Sequence, residues 1–137
     1  MDNKKKILRF LKSNGFELIE KDTSAFFGDY YDTFSNGIYQ LRFSSSKSFE
    51  TVDIRSNQPN ESWYDLALVK ALLYDKKNLN NVTTVEEHKD FLQKELTNIT
   101  DLFGDRNYPA TKMRLEELGT ERAEQMFPGM NLKNRLR

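Results

Sequence analysis

The chain has 137 residues with 21 basic and 21 acidic side chains, so its formal net charge is zero. This length fits a single domain that buries roughly two-thirds of its unfolded surface, enough for one hydrophobic core. Cysteine is absent, which excludes disulfides, thiolate nucleophiles and thiolate metal ligands. A neutral protein is not expected to bind nucleic acid through its overall charge, and no apolar run is long enough to span a membrane.

The first predicted element is a basic amphipathic helix over residues 3–14, ended by Gly15 in a left-handed conformation. Cations on its polar side are typical of a solvated helix face. A basic tail over residues 130–137 closes the chain, and we expect it to be flexible. If the two chain ends are neighbours, their cations offer an alternative surface for nucleic acid: Lys4, Lys5, Lys6, Arg9, Arg135 and Arg137.

Residues 16–55 are predicted to form a small antiparallel sheet of three to four strands, because apolar and polar residues alternate along them. The alternation is clearest in residues 37–55, GIYQLRFSSSKSFETVDIR, where Tyr39, Leu41 and Phe43 would share one face. One face of this sheet can therefore be core while the other meets water.

A hairpin is predicted at the Asn36-Gly37 dipeptide, which is typical of a type I′ turn because that turn needs positive φ at both central residues. The hairpin would pair the following strand with an upstream strand over residues 25–34. Gly28 inside that upstream strand indicates a bulge or a loop at the sheet edge.

Residues 62–127 are predicted to be helical and to cover the apolar face of the sheet. This arrangement makes the whole chain, residues 1–137, a single α+β domain. Gly119 is expected to break or kink the last helix.

Two of the helices carry sequence signals for their ends. Ser62 with Asp65, and Thr84 with Glu87, have the spacing of capping boxes. Gly104 is expected to end the helix that begins at Thr84.

Common catalytic and cofactor sites require sets of residues that this sequence does not supply. His88 is the only histidine, and it reads as a surface or core-edge side chain in the first turns of a helix. A zinc site generally needs three or four ligands, and no glycine-rich phosphate loop is present. We therefore predict a protein that is not an enzyme and assign it no cofactor or metal site; an enzyme would need carboxylates that converge in a cleft, which is a spatial arrangement that the sequence leaves open.

A recognition surface is the alternative that the sequence favours. Asp29, Tyr30, Tyr31 and Asp32 combine aromatic rings with carboxylates, and Trp63 lies at the start of a predicted amphipathic helix. Tyrosine and tryptophan are enriched where interfaces carry their binding energy, and nearby acids would steer a basic partner. The same rings would also fit a buried strand and a packed helix, so burial decides between the two interpretations.

A basic helix is followed by the NGIYQLRF hairpin, the FETVDIRS strand, the segment WYDLALVKALLYD and a capped helix beginning TTVEEHKDFLQKEL. This order resembles small bacterial immunity-type proteins of polymorphic toxin systems, over residues 16–96. The resemblance implies a stoichiometric inhibitor that covers the active site of a cognate toxin, and it transfers no catalytic residue. If the toxin were a nuclease with a basic cleft, the acidic aromatic block 29–32 would imitate its phosphate and base contacts.

The sequence thus predicts a soluble protein-binding module. A cytoplasmic location is expected because no signal-peptide apolar region follows the N-terminal lysines. A basic toxin domain is the predicted kind of partner; a nucleic-acid-contacting accessory protein and a purely structural domain are the alternatives. The sequence predicts no particular oligomeric state.

Overall fold

The computed structural model describes residues 3–23, 30–46, 49–79 and 83–128 and has an α+β fold. None of the helices in these residues is long and apolar enough to cross a membrane. In chain order the elements are α1 (Asn3–Ser13), β1 (Glu17–Thr23), β2 (Tyr30–Ser35), β3 (Tyr39–Ser46), β4 (Phe49–Ser56), β5 (Tyr64–Asp65), α2 (Leu66–Tyr74), α3 (Val85–Phe103) and α4 (Tyr108–Met126).

The strands form one antiparallel meander in the order β1-β2-β3-β4-β5. Five strands are therefore present where three to four were predicted. The additional strand is β5, whose two residues lie in a segment predicted to be helical. Helix α1 agrees with its prediction and is followed by Gly15 at φ +85°.

The turn between β2 and β3 differs from the predicted type I′ geometry. Asn36 N donates to Tyr39 O at 3.3 Å, so the two central residues are Gly37 and Ile38. Gly37 has φ +90°, whereas Asn36 keeps a negative φ and accepts from the amides of Ile38 and Tyr39 through Oδ1 at 2.9 and 3.0 Å. Positive φ at the first central residue alone is typical of a type II′ turn.

The hydrophobic core lies between the helices and one face of the sheet. Tyr39 and Leu41 are fully buried and Phe43 packs against them in part, which confirms that these three residues share the inner face. The core side chains of the helices include Ile7 and Leu11 of α1, Leu66 and Val69 of α2, Leu92 and Ile99 of α3, and Leu115 and Leu118 of α4.

A row of aromatic rings connects the sheet to the helices. The ring centroid of Tyr39 lies 5.6 Å from that of Phe16 and 5.4 Å from that of Phe103, which in turn lies 5.4 Å from Tyr108. The Tyr39 hydroxyl is hydrogen-bonded to Thr100 Oγ1 at 3.0 Å, and burial raises the pKa of Tyr39 to about 12. Because the hydroxyl has a partner, burying this tyrosine leaves no unpaired polar group.

Helix α2 begins four residues later than the sequence indicated. The predicted capping box at Ser62 is wrong: Asp65 is the N-cap, and its Oδ1 accepts from Ala67 N at 2.9 Å. Residues Tyr64 and Asp65 instead pair with β4, so strand bonds satisfy backbone groups that a first helical turn would leave free.

The predicted start and end of α3 are confirmed, whereas a break predicted in α4 is wrong. The capping box of Thr84 and Glu87 is present, with both reciprocal bonds at 3.2 Å, and Gly104 ends α3. The expected break at Gly119 is wrong, because α4 continues through it to Met126. A single glycine costs a helix about 1 kcal/mol, which burial of neighbouring core residues such as Leu118 can offset.

His88 is buried at the junction of α3 and α2, not at the protein surface. Its side chain is 3% exposed, and its Nε2 lies 4.0 Å from Asp65 Oδ1. Burial is the main cause that lowers the pKa of His88, and Lys70 adds to it. The carboxylates of Asp65 and Glu87 oppose the shift. His88 is therefore mainly neutral at neutral pH.

We predict that His88 makes the fold acid-sensitive. An unfolded histidine binds a proton near pH 6.5, whereas the folded protein binds it only at lower pH, so the free energy of unfolding falls as the pH drops below about 6.5. The slope contributed by one proton cannot exceed about 1.4 kcal/mol per pH unit. Urea unfolding of the wild type and His88→Gln between pH 7 and 5.5 should show this slope only in the wild type.

Gln93→Ala, at an exposed position of the same helix, provides the control and should keep the wild-type slope. Because His88 is the only histidine in the chain, no other side chain of ordinary pKa titrates in this window. Equal slopes in the wild type and His88→Gln would contradict the assignment.

Candidate recognition surface

The sheet face opposite the core carries polar and aromatic side chains at the alternate positions of three long strands. The strand register pairs Thr33 with Arg42, Arg42 with Asp53, and Gln40 with Arg55. Their neighbours in sequence, such as Leu41, point into the core. We call this surface the outer sheet face and define it by Tyr31, Thr33, Gln40, Arg42, Asp53, Arg55 and Trp63.

The ring of Trp63, the residue before β5, stacks with two arginines of the outer sheet face. The Cζ atoms of Arg42 and Arg55 lie 4.2 and 4.5 Å from the centroid of its ring. Arg42 Cζ also lies 5.9 Å from the ring centroid of Tyr31. These distances fall within the range of cation–π attraction, so a chain of stacked side chains runs from β2 to the residue before β5.

Hydrogen bonds and an ion pair fix the two guanidinium groups. Arg55 Nη2 donates to Gln40 Oε1 at 2.9 Å, and Gln40 Nε2 donates to Asn57 Oδ1 at 2.7 Å. Arg42 Nη2 lies 3.6 Å from Asp53 Oδ2. Burial raises the pKa of Asp53, and the charge of Arg42 partly counteracts that shift. Both arginines that stack on the ring of Trp63 are thus fixed by polar contacts of their own, Arg55 with Gln40 and Arg42 with Asp53.

Four buried side-chain polar atoms have no hydrogen-bond partner in the described structure, and two of them belong to the outer sheet face. These two are Thr33 Oγ1 and Arg42 Nε, which belong to residues directly opposed in the β2–β3 register. An unpaired buried donor or acceptor typically costs about 1–3 kcal/mol. Such groups are uncommon in folded proteins.

The β1 margin of the outer sheet face is acidic. Glu20 and Asp22 are exposed and stand opposite Thr33 and Tyr31 in the register. Partial burial and these two carboxylates raise the pKa of Tyr31, while Arg42 opposes the shift. The margin therefore presents negative charge beside an aromatic ring.

The structure brings together two of the five predicted contact residues, Tyr31 and Trp63. Both are half-buried, and Arg42 lies between them. Trp63 does not begin a helix as predicted, because it directly precedes the paired residues of β5. Sequence reasoning missed Arg42 and Arg55 as site residues, although the period of two in the strands already placed them opposite the core.

The prediction that Asp32 contacts a partner requires correction. Its side chain is 6% exposed and pairs across the sheet with Phe43, on the face opposite to Tyr31, because successive residues of a strand alternate between faces. Tyr30 shares that face and is half-buried, with its pKa raised mainly by burial. Asp29 lies outside the described residues.

Little of the alternative basic surface can be placed. Lys6 and Arg9 are exposed on α1, as expected for its polar side. The side chains of Lys4 and Lys5 lie outside the described part of the chain. Arg135 and Arg137 also lie outside it, so the proximity of the two chain ends stays a prediction.

Within the described ranges, no group of three or more His, Asp or Glu side chains is placed to hold a metal ion. Glu87, near Asp90 in a groove of about 220 Å³ between α2 and α3, caps the helix through Thr84. Those hydrogen bonds are the main cause that lowers the pKa of Glu87.

Comparison with known proteins gives no relative. No protein-family model matches the chain, and neither a curated protein nor a solved structure is significantly similar to it.

We predict a measurable coupling between Arg42 and Trp63. In a double-mutant cycle with Arg42→Met and Trp63→Leu, the interaction free energy should be about 0.5–2 kcal/mol. This is the range for a cation–π contact between an aromatic ring and a partly desolvated guanidinium. Urea unfolding followed by circular dichroism gives the four stabilities without relying on tryptophan fluorescence.

A control cycle combines Trp63→Leu with Arg114→Met. In the wild type, the guanidinium of Arg114 pairs with Glu117 on α4. We expect these two changes to add within about 0.5 kcal/mol. Additivity in the Arg42 cycle as well would show that the stack does not stabilise this face.

Proposed function

We propose that the protein is a non-enzymatic protein-binding module whose outer sheet face docks a partner protein, while the acidic β1 margin contacts a basic part of that partner's surface. The observation that carries this proposal is the convergence of Trp63, Arg42, Arg55 and Tyr31 on one face, next to exposed carboxylates. Tryptophan, tyrosine and arginine are the residues in which interface binding energy concentrates.

Preorganisation supports the same proposal. Ordering a long side chain on binding costs about 0.5–1.5 kcal/mol, and Arg42 and Arg55 are already held by Trp63, Asp53 and Gln40. A partner that covers this face would therefore meet rigid side chains. The carboxylates of the β1 margin favour a basic partner through complementary charge.

In its specific form, the proposal is an immunity-like inhibitor that binds a cognate bacterial toxin in the cytoplasm. A stoichiometric inhibitor needs a stable recognition surface and no chemistry of its own, which agrees with the arrangement of the outer sheet face. The acidic margin, Glu20 and Asp22 with Tyr31, takes the role that the sequence assigns to Asp32, and the role of Asp29 stays a prediction. A basic toxin cleft is the complementary surface.

Trp63→Ala should weaken partner binding at least roughly 30-fold, the equivalent of a hot-spot cost of about 2 kcal/mol. The tagged chain would first recover its partner from the native cell, and isothermal titration with the purified partner would give the dissociation constants. Met113→Ala is the matched control, because Met113 is 65% exposed on α4 and should leave the affinity unchanged.

Circular dichroism of both variants verifies that they fold. Unchanged affinity of Trp63→Ala would remove the outer sheet face from the proposal. Recovery of nucleic acid in place of a protein would contradict the protein-binding function and favour the basic surface around Lys6 and Arg9.

A further inference from the structure

Strand β1 is a long edge of the sheet. It has seven residues, Glu17–Thr23, and pairs with β2 on one side, while no described strand pairs with its other side. The opposite edge, β5, has only two residues and runs directly into α2. A free edge presents backbone donors and acceptors on which another strand can add.

Two neighbouring apolar side chains are exposed on this edge. Leu18 is 51% exposed and Ile19 is 52% exposed. The register shifts between Leu18 and Glu20, so Ile19 is the extra residue of a bulge, after which residues 20–23 pair regularly with β2. Residues 20–23 therefore keep a regular edge beyond the bulge, and the bulge supplies apolar contact area next to it.

The charge of β1 selects the kind of strand that fits. The strand has a net charge of −2, because it carries three carboxylates and one cation: Glu17, Glu20, Asp22 and Lys21. A second copy would bring two edges of the same net charge together, which disfavours self-pairing. A segment rich in lysine or arginine is complementary.

We propose that β1 binds an extended basic segment of the partner protein as a sixth strand. This inference depends on the proposed function and extends it, because Glu20 and Asp22 border both the edge and the outer sheet face. A partner seated over Trp63 would thus reach the edge without a gap. Backbone hydrogen bonds supply the pairing, and the carboxylates select cationic side chains at alternate positions of the segment.

The test uses a capped synthetic peptide of alternating lysine and valine, seven residues long, titrated into the full isotope-labelled chain. NMR should show shift changes and slowed amide exchange confined to residues 17–23. Glu20→Lys with Asp22→Lys should weaken binding at least tenfold, and Glu20→Gln with Asp22→Asn should weaken it less. Asp105→Lys with Glu121→Lys, at exposed positions in the α3–α4 turn and on α4, is the charge-matched control and should bind as the wild type does.

The possible results separate strand addition at β1 from docking on the outer sheet face. A peptide of alternating glutamate and valine that binds equally well would exclude charge selection. Peptide shifts around Trp63 and Arg55 with no protection of β1 would refute the sixth strand and leave the proposed docking face intact. Protection of β1 in the peptide-free chain, rising with protein concentration, would identify a second copy as the occupant. Conversely, β1 protection by the peptide together with full partner affinity in Trp63→Ala would refute the docking face and retain the edge.

Discussion

The side chain of Asp65 is the contact on which the arrangement of the helices against the sheet depends. Its Oδ1 caps α2 through Ala67 N at 2.9 Å, and its Oδ2 accepts from Arg122 Nη1 of α4 at 2.9 Å. His88 of α3 lies 4.0 Å away, and the backbone of Asp65 pairs with Asp53 in β4. Asp65 therefore joins β4, through its backbone, to α2 and α4, through its carboxylate, and a helix N-cap of this kind is worth roughly 1 kcal/mol by itself.

The position of Trp63 follows from this junction. Because Tyr64 and Asp65 are held as a short strand beside β4, the preceding residue is directed to Arg55 on the outer sheet face. The core and the outer sheet face are thus the two sides of the same sheet. The core face stabilises the fold by burying apolar area, and the outer face is free to carry polar and aromatic side chains whose geometry the strands fix.

The sequence predicted those parts of the fold that local signals determine. Alternation in β3 and β4 identified the inner face, and the spacing of Thr84 and Glu87 identified the start of α3. Sequence patterns gave the wrong start of α2, because a long-range contact decides it. Asp65 has the spacing of the third residue after a cap at Ser62, but Tyr64 and Asp65 pair with β4, and Asp65 itself becomes the N-cap. The break predicted at Gly119 is wrong for a related reason, because the tertiary packing of α4 overrides the local tendency of glycine to break a helix.

The candidate site was predictable in part for the same reason. Tyr31 and Trp63 were chosen as aromatic residues in polar surroundings, but their proximity across strands that are far apart in sequence needs the register. The alternation rule that places Leu41 in the core also separates Asp32 from Tyr31, and applying it to β2 would have placed Asp32 inside. The bulge at Ile19 has no clear sequence signal, because neither glycine nor proline marks it.

The fluorescence of Trp63 tests the account most directly, because the chain contains one tryptophan. We would measure its emission maximum and its quenching by iodide in the free protein and in the purified complex with its partner. We expect a blue shift and a several-fold loss of quenching in the complex, because the partner covers the indole ring. A stoichiometric complex with unchanged emission and quenching would contradict docking on the outer sheet face.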